Sequence, residues 1–266
     1  MSNQEERQLQ YNIMGNNNTE EQEWIEQPGG WGKDPRDEQS GGGTNHPNNN
    51  KEEEDEEGGF FDLFADENPQ SNFSYNVNGK RIQLEGFTVA SDEAAQSTGV
   101  TLWEAAPRLA NYIQSSMVTG KAVLELGAGL GLCGMVAHHL GAKSVDLTDA
   151  DTITLQRLRH NVSKNCDSTT VRCRQLIWNN LEQMKTFGTF DILLGADVIY
   201  TIESLDPLFD TVTYFLQQTP TACFILSRFT KWGNIQDETV LDAAQSRNLV
   251  WTHPSEGIYI FQTKQT

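Results

Sequence analysis

The residues best placed to do chemistry lie in "VLELGAGLGLCG", Val123 to Gly134. Gly129, Gly131 and Gly134 spell G-x-G-x-x-G, the form that cradles a dinucleotide pyrophosphate at a helix N-terminus. Gly127 and Gly129 open an equally glycine-rich run one step earlier. Residues without a β-carbon let the backbone approach a ligand that a side chain would exclude. Asp149 follows Gly129 by 20 residues and closes the apolar run "SVDLTD". A carboxylate there can accept both hydroxyls of a ribose, so the expected ligand contains a nucleoside. A turn that binds nothing is a poor account of five glycines within residues 127–141 and an acid at that spacing.

NAD and S-adenosylmethionine both meet this description. A dinucleotide loop packs its helix on the strand through a third glycine; counted from Gly127 that position holds Leu132, and the G-x-G-x-x-G at 129–134 is out of register. A dinucleotide enzyme also uses a second domain for its substrate, for which no residues remain. Glu125 stands two residues before Gly127 and completes E-x-G-x-G-x-G, in which the acid can organise the loop around the charged amino-acid end of a cofactor. These features favour S-adenosylmethionine.

Such a site requires one strand that ends at Leu126 and another that ends at Asp149. The run "AVLEL" (122–126) supplies the first, and "GLCGMVAHHLG" a helix closed by Gly141. "SVDLTD" (144–149) is the second strand, followed by the helix "TITLQRLRHNVSKN" with Ile153, Leu155, Leu158 and Val162 on or near one face. "VRCRQLIW", "FDILLGADVIY" and "ACFILSRF" continue as strands, with "SLDPLFDTVTYFLQQ" and "IQDETVLDAAQSRN" as helices. "LVWTH" and "GIYIFQTK" form a closing antiparallel hairpin across "PSE". Upstream, "NFSYNVNGKRIQLEG" alternates about Asn78-Gly79, a strong hairpin signal. "TLWEAAPRLANYIQ" reads as a helix with Leu102, Ala106, Leu109 and Ile113 on its spacing and Pro107 near the first turn. Strands alternating with helices give an α/β fold: a doubly wound, mostly parallel, Rossmann-like sheet between helices.

The formal charge of −18 over 266 residues is unevenly placed. Residues 1–68 hold 18 acidic and 4 basic side chains, which leaves −4 for residues 69–266. With its Asn tracts, "SGGG" and "KEEEDEE", the stretch 1–58 is expected to be a disordered tail that solvates the chain. The folded domain is then expected over 59–264, with the hairpin at 73–89 and the core at 101–264. The alternative reading is that "EWIEQPGGW" or, just beyond the tail, "FFDLF" is a docking peptide with aromatic anchors in an acidic background. No stretch approaches the roughly 20 apolar residues of a membrane span, and "MSNQEERQLQ" lacks a signal region, so a cytoplasmic or nuclear protein is expected. Cysteines 133, 166, 173 and 223 form no C-x-x-C pair, so free thiols and no structural metal are expected.

The ordered set "GVTLWEAAPRLANYI", "VLELGAGLGLCG", "VDLTDAD", "LRHNVSKN", "IW" and "GADVIY" resembles methyltransferase family 16. These are METTL21-like protein-lysine methyltransferases of the seven-stranded, class I S-adenosylmethionine-dependent superfamily. The resemblance covers about residues 73–264. It implies that Trp103 lines the cofactor pocket, although an ordinary core aromatic is the competing reading. It implies that Gly127, Ala128 and Gly129 surround the methionine moiety, that Asp149 holds the ribose and that Trp178 lies beside the adenine. Ala196 matches a further cofactor contact. Asn179 stands where the family often has Gly, which bears on local loop geometry.

Asp197 and Tyr200 match the family's D-x-x-Y motif, and the chemistry is expected there. The fourth strand flanks the first at the switch point, so Asp197 should emerge beside the transferred methyl group, where it can orient an amine and stabilise its positive charge. Tyr200 can wall the lysine channel. A cap of the following helix is the alternative role for Asp197, but Ser204, in "SLDPL", is the better candidate for that cap. The expected partner is a protein that presents a lysine, acted on by a monomer. Nucleic acid is disfavoured because "ADVIY" replaces the N-P-P-Y of base-methylating enzymes and no dense Lys/Arg run is present. A small nicotinamide-like amine and a non-catalytic cofactor-binding module are the remaining alternatives.

Overall fold

The computed structural model describes residues 70–167, 169–229 and 235–264. The expected tail and both aromatic segments lie outside the described residues. Strands β1 (Gln70–Val77) and β2 (Lys80–Phe87) form the predicted hairpin. Asn78 and Gly79 take φ of 47° and 72°, left-handed at both turn positions as a tight hairpin with the natural strand twist requires. Tyr75, Val77, Ile82 and Leu84 turn inward and are buried.

The helices are α1 (Asp92–Gln96), α2 (Ala105–Tyr112), α3 (Ser115–Val118), α4 (Leu132–His139), α5 (Thr152–Asn165), α6 (Leu181–Met184), α7 (Leu205–Leu216) and α8 (Asp237–Gln245). The strands are β3 (Ala122–Leu126), β4 (Ser144–Asp149), β5 (Val171–Gln175), β6 (Ile192–Ala196), β7 (Cys223–Ser227), β8 (Leu249–Ser255) and β9 (Ile258–Thr263). They make one seven-stranded sheet in the order β5-β4-β3-β6-β7-β9-β8. The first five strands in that order are parallel, and β9 runs antiparallel to both its neighbours. From β3 the chain winds outward to β5, then crosses back to β6. The winding therefore reverses between β3 and β6, where an open α/β sheet leaves a crevice beyond its strand ends.

Successive residues of the central strands feed two cores. Val123, Val145 and Leu194 pack under α2, α4 and α5, whereas Leu124, Leu126 and Leu193 pack under α7 with Phe209, Phe215, Phe224 and Phe261. Burial on both faces explains why these strands read as unbroken apolar runs. Pro107 is the third residue of α2, where no intrahelical hydrogen bond is lost. Asp151 caps α5 by accepting from Ile153 N (3.3 Å) and Thr154 N (2.9 Å). Asn161 and Asn165 of α5 exchange hydrogen bonds with the backbone of Glu85 and Gln83, so their amides cover the edge of β2.

Three local expectations fail. Ile153 is 54% exposed at the start of α5 and is no part of the buried face formed by Leu155, Leu158 and Val162. The strand expected over "VRCRQLIW" ends at Gln175, since Ile177 N turns away to bond the Gln183 side chain at 2.7 Å. The last hairpin turns at Glu256-Gly257, and Pro254 and Ser255 extend β8, an edge strand where a proline costs no ladder bond. Among the described residues no helix is long and apolar enough to cross a membrane.

Candidate active site

Gly127 (φ 64°) and Gly129 (φ 53°) turn the chain out of β3 in the left-handed region that side chains disfavour. A β-carbon on Gly127 would lie 2.9 Å from Val198 Cγ1 and 3.5 Å from Trp178 Cζ2. The loops after β3, β5 and β6 thus meet at the switch point. A β-carbon on Gly129 would lie 3.2 Å from the Gly99 carbonyl oxygen, which places the segment before α2 over the loop. Ala128 N donates to Thr148 O at 2.8 Å and fixes the loop on β4.

The 20-residue spacing between Gly129 and Asp149 closes into a contact. Asp149 Oδ2 accepts from Gly129 N at 3.2 Å and its Oδ1 from Asp151 N at 3.1 Å. Burial raises the Asp149 carboxyl above the ordinary range, opposed by these backbone donors. An acid held this way beside an open loop has the chemistry to accept ribose hydroxyls.

Glu125 works underneath the loop. It is 3% exposed, and its Oε2 accepts from Gly134 N at 2.8 Å, in the first turn of α4, where backbone donors lack intrahelical partners. Burial pushes its carboxyl up to about 7, and burial with Glu125 alongside pushes the Cys133 thiol well up. Gly134 packs closely as well: a β-carbon would meet Leu147 Cδ2 at 2.1 Å. The close helix-on-strand contact of a dinucleotide loop is therefore present, carried by Gly134. The register of the third glycine does not separate the two cofactors.

The segment leading into α2 forms a strap over these loops. Ser97 Oγ donates to Asp151 Oδ2 and lies 2.8 Å from Thr154 Oγ1. Trp103 Nε1 donates to Thr98 O at 2.8 Å, so Trp103 belongs to the half-buried strap and not to the core. Ser97 and Gly99 escaped the sequence reasoning; the available signal was "GVTLW", which begins at Gly99.

Beyond β6, Ala196 closes the strand and Asp197 is buried with φ 50°. Aspartate tolerates this left-handed region better than most residues. Its N donates to Ser227 O at 2.9 Å, its Oδ1 accepts from Phe229 N at 3.2 Å, and its Oδ2 from Ala105 N at 3.4 Å. Ala105 opens α2, so Asp197 does meet a helix start, but of a helix far earlier in the chain. Ser204 does not cap α7: it is helical itself, and its Oγ donates to Thr201 O at 2.6 Å. Tyr200 is 49% exposed on the loop after β6. Trp178 packs partly buried on the α7 side of the sheet. Asn179 takes φ 60°, the conformation for which glycine is best suited, and its N donates to Thr211 Oγ1 at 2.7 Å.

These residues fit S-adenosylmethionine: glycine backbone where the methionine end would lie, a buried acid for the ribose, and an indole against the loop. Asp149, Gly127, Ala128, Gly129 and Trp178 would hold it.

A sequence profile described as lysine methyltransferase matches residues 84–254. The chain is similar to the protein N-lysine methyltransferase METTL21A of Xenopus tropicalis, 35% identical over 162 residues, 58% of this chain and 74% of that protein. It is 30% identical over 186 residues to METTL21A of Mus musculus, 66% of this chain and 82% of that protein. In fold it resembles a structure from Streptococcus mutans assigned as a SAM-dependent methyltransferase, with a TM-score of 0.51, 15% identity, and coverage of 71% of this chain and 54% of that one. With the profile spanning more than half its length, the chain belongs to the lysine methyltransferase family, methyltransferase family 16.

Proposed function

We propose that the chain transfers a methyl group from S-adenosylmethionine to the side-chain nitrogen of a lysine in a protein. The observation that carries this reading is Asp197, buried and left-handed beyond β6, with its neighbour Val198 against Gly127 of the glycine loop. When bound, the cofactor supplies a methyl group on a sulfonium already activated for in-line displacement. Asp197, held by Ala105 N and Phe229 N, orients the incoming amine and stabilises the positive charge that remains on nitrogen. Asp197 would receive the amine in its neutral form, the ammonium proton having passed to solvent, so that the nitrogen lone pair is free for the transfer. Tyr200, standing out at the rim, flanks the lysine stem.

A protein suits the rim better than a small amine does. Ile177, Leu181, Tyr200 and Ile202 are all 47–58% exposed on the loops and helix start that follow β5 and β6. Apolar groups displayed around a pocket mark a surface that another macromolecule covers. The −4 charge of residues 69–266 favours a cationic target over phosphates.

The test incubates the protein and Asp197→Ala with radiolabelled S-adenosylmethionine and cell extract treated with RNase or protease. Label on a protein band, absent with the variant and recovered as methyl-lysine, is expected. Label that survives protease and disappears with RNase, or that enters only small molecules, would overturn the substrate class.

A further inference from the structure

A recess of about 340 Å³ lies beside the strap, between the end of β2, α1 and the outer face of α5. That volume is at the lower end of the range of about 300–1,000 Å³ typical of ligand pockets. Phe87, Val100 and Ile153 give it an apolar lining, and Arg157 and His160 stand at its α5 side. Ile153 is 54% exposed and so presents apolar surface to the recess. The Arg157 guanidinium lies 5.1 Å from the Phe87 ring centroid. Arg157 and His160 are the basic side chains of the lining, and α5 contains no acid. Glu85 faces Arg157 (3.5 Å), His160 (2.8 Å) and Lys164, and Glu93 of α1 is the acid in the lining.

The chain itself arrives at this place. Gln70 pairs with Phe87 across the hairpin, so the residues before Gln70 enter the fold beside the residue that lines the recess. The preceding segment reads "FFDLFADENP", residues 60–69, with four large apolar side chains, three acids and no base. Phe64 lies six positions before Gln70, a reach of up to about 20 Å when extended. That suffices to lay the aromatic cluster in the recess.

We propose that Phe60–Phe64 docks intramolecularly in this recess, with its apolar side chains against Phe87 and Ile153 and Asp62 toward Arg157 and His160 of α5. Ser97 and Val100 form the opposite wall, and Gly99 between them abuts Gly129. Docking therefore braces the strap on the glycine loop, a link between the N-terminal tail and the cofactor pocket.

The experiment uses the full chain with Ile153→p-benzoylphenylalanine, prepared as a mixture of isotopically light and heavy protein, irradiated and mapped by mass spectrometry. The expected result is a cross-link from position 153 to residues 58–69 of the same chain, lost when Phe60, Phe61 and Phe64 are all replaced by Ser. Mixed light–heavy cross-links would assign the recess to a second copy and overturn the proposal. Cross-links to other segments, or none to residues 58–69, would also overturn it. Hydrogen exchange gives a second reading: residues 93–100 and 153–160 should exchange faster in the triple Ser variant, and unchanged exchange counts against docking.

Discussion

The two halves of the site are held by contacts of different range. On the β3–β4 side, Glu125 reaches Gly134 nine residues on, and Gly129 reaches Asp149 twenty residues on. On the β6 side, Asp197 is held by Ala105, 92 residues earlier, and Phe229, 32 residues later. The first half is shaped by backbone turns that a short sequence specifies. The second exists only once α2 and the segment after β7 have packed against it. Binding and chemistry should therefore fail separately.

The largest effect tests that separation directly. Asp197→Ala should lower turnover by about 10²–10³-fold, the usual consequence of removing one preorganised electrostatic group, while calorimetry finds S-adenosylmethionine still bound. On the proposal that Asp149 accepts the ribose hydroxyls, Asp149→Ala should weaken cofactor binding by about 10–100-fold. If both substitutions alter the same parameter, the two halves are one unit.

Glu125→Gln probes the local half through pH. A carboxyl raised from 4.5 to about 7 on folding binds its proton more tightly in the native state. Its contribution is fully present below about pH 4.5 and is lost as pH rises through about 7, a decline of about 3 kcal/mol. Gln keeps an acceptor for Gly134 N and does not ionise, so urea melts at pH 4.5 and 7.5 should differ less in the variant. Asp149, also raised, leaves a residual slope of the same sign.

Gly134→Ala should cost about 1–3 kcal/mol, because the added methyl meets Leu147 and Glu125 at the α4–β4 contact. A thermal melt reads this directly, and an unchanged midpoint would show that α4 can lift without penalty. The smallest effect is expected at Asn179→Gly, where relief of the left-handed backbone offsets glycine's extra chain entropy, leaving stability within about 0.5 kcal/mol. A larger change would make Asn179 a structural post and not a tolerated stand-in.

The parts legible in the sequence follow the same division. Strands 122–126 and 144–149 and helix 152–165 have the bounds that their periodicity set. The contact between Gly129 and Asp149 could be anticipated from their spacing, because that spacing is the length of one helix and one strand. Ile153 and Ile177 were misplaced because an apolar residue at a helix start or after a strand can be displayed as readily as buried. Ser204 failed as a cap because a 3₁₀ turn over Ile202–Ser204 already holds it in helical backbone. Periodicity could not reveal the partners of Asp197, which lie on other elements, nor that Glu125 would support α4 from below.

The interior position of β9 has a consequence for the growing chain. Strand β8 is made before β9 but sits at the edge of the sheet and pairs only with β9. Until residues 258–263 emerge from the ribosome, β8 has no place to dock, and the outer edge of β7 stands unpaired with Phe224 and Leu226 beside it. Open apolar edges of this kind recruit other strands. The order of synthesis thus runs against the order of pairing at this end of the sheet, and the vulnerable interval in the life of the chain is the one just before its penultimate strand is locked in from behind.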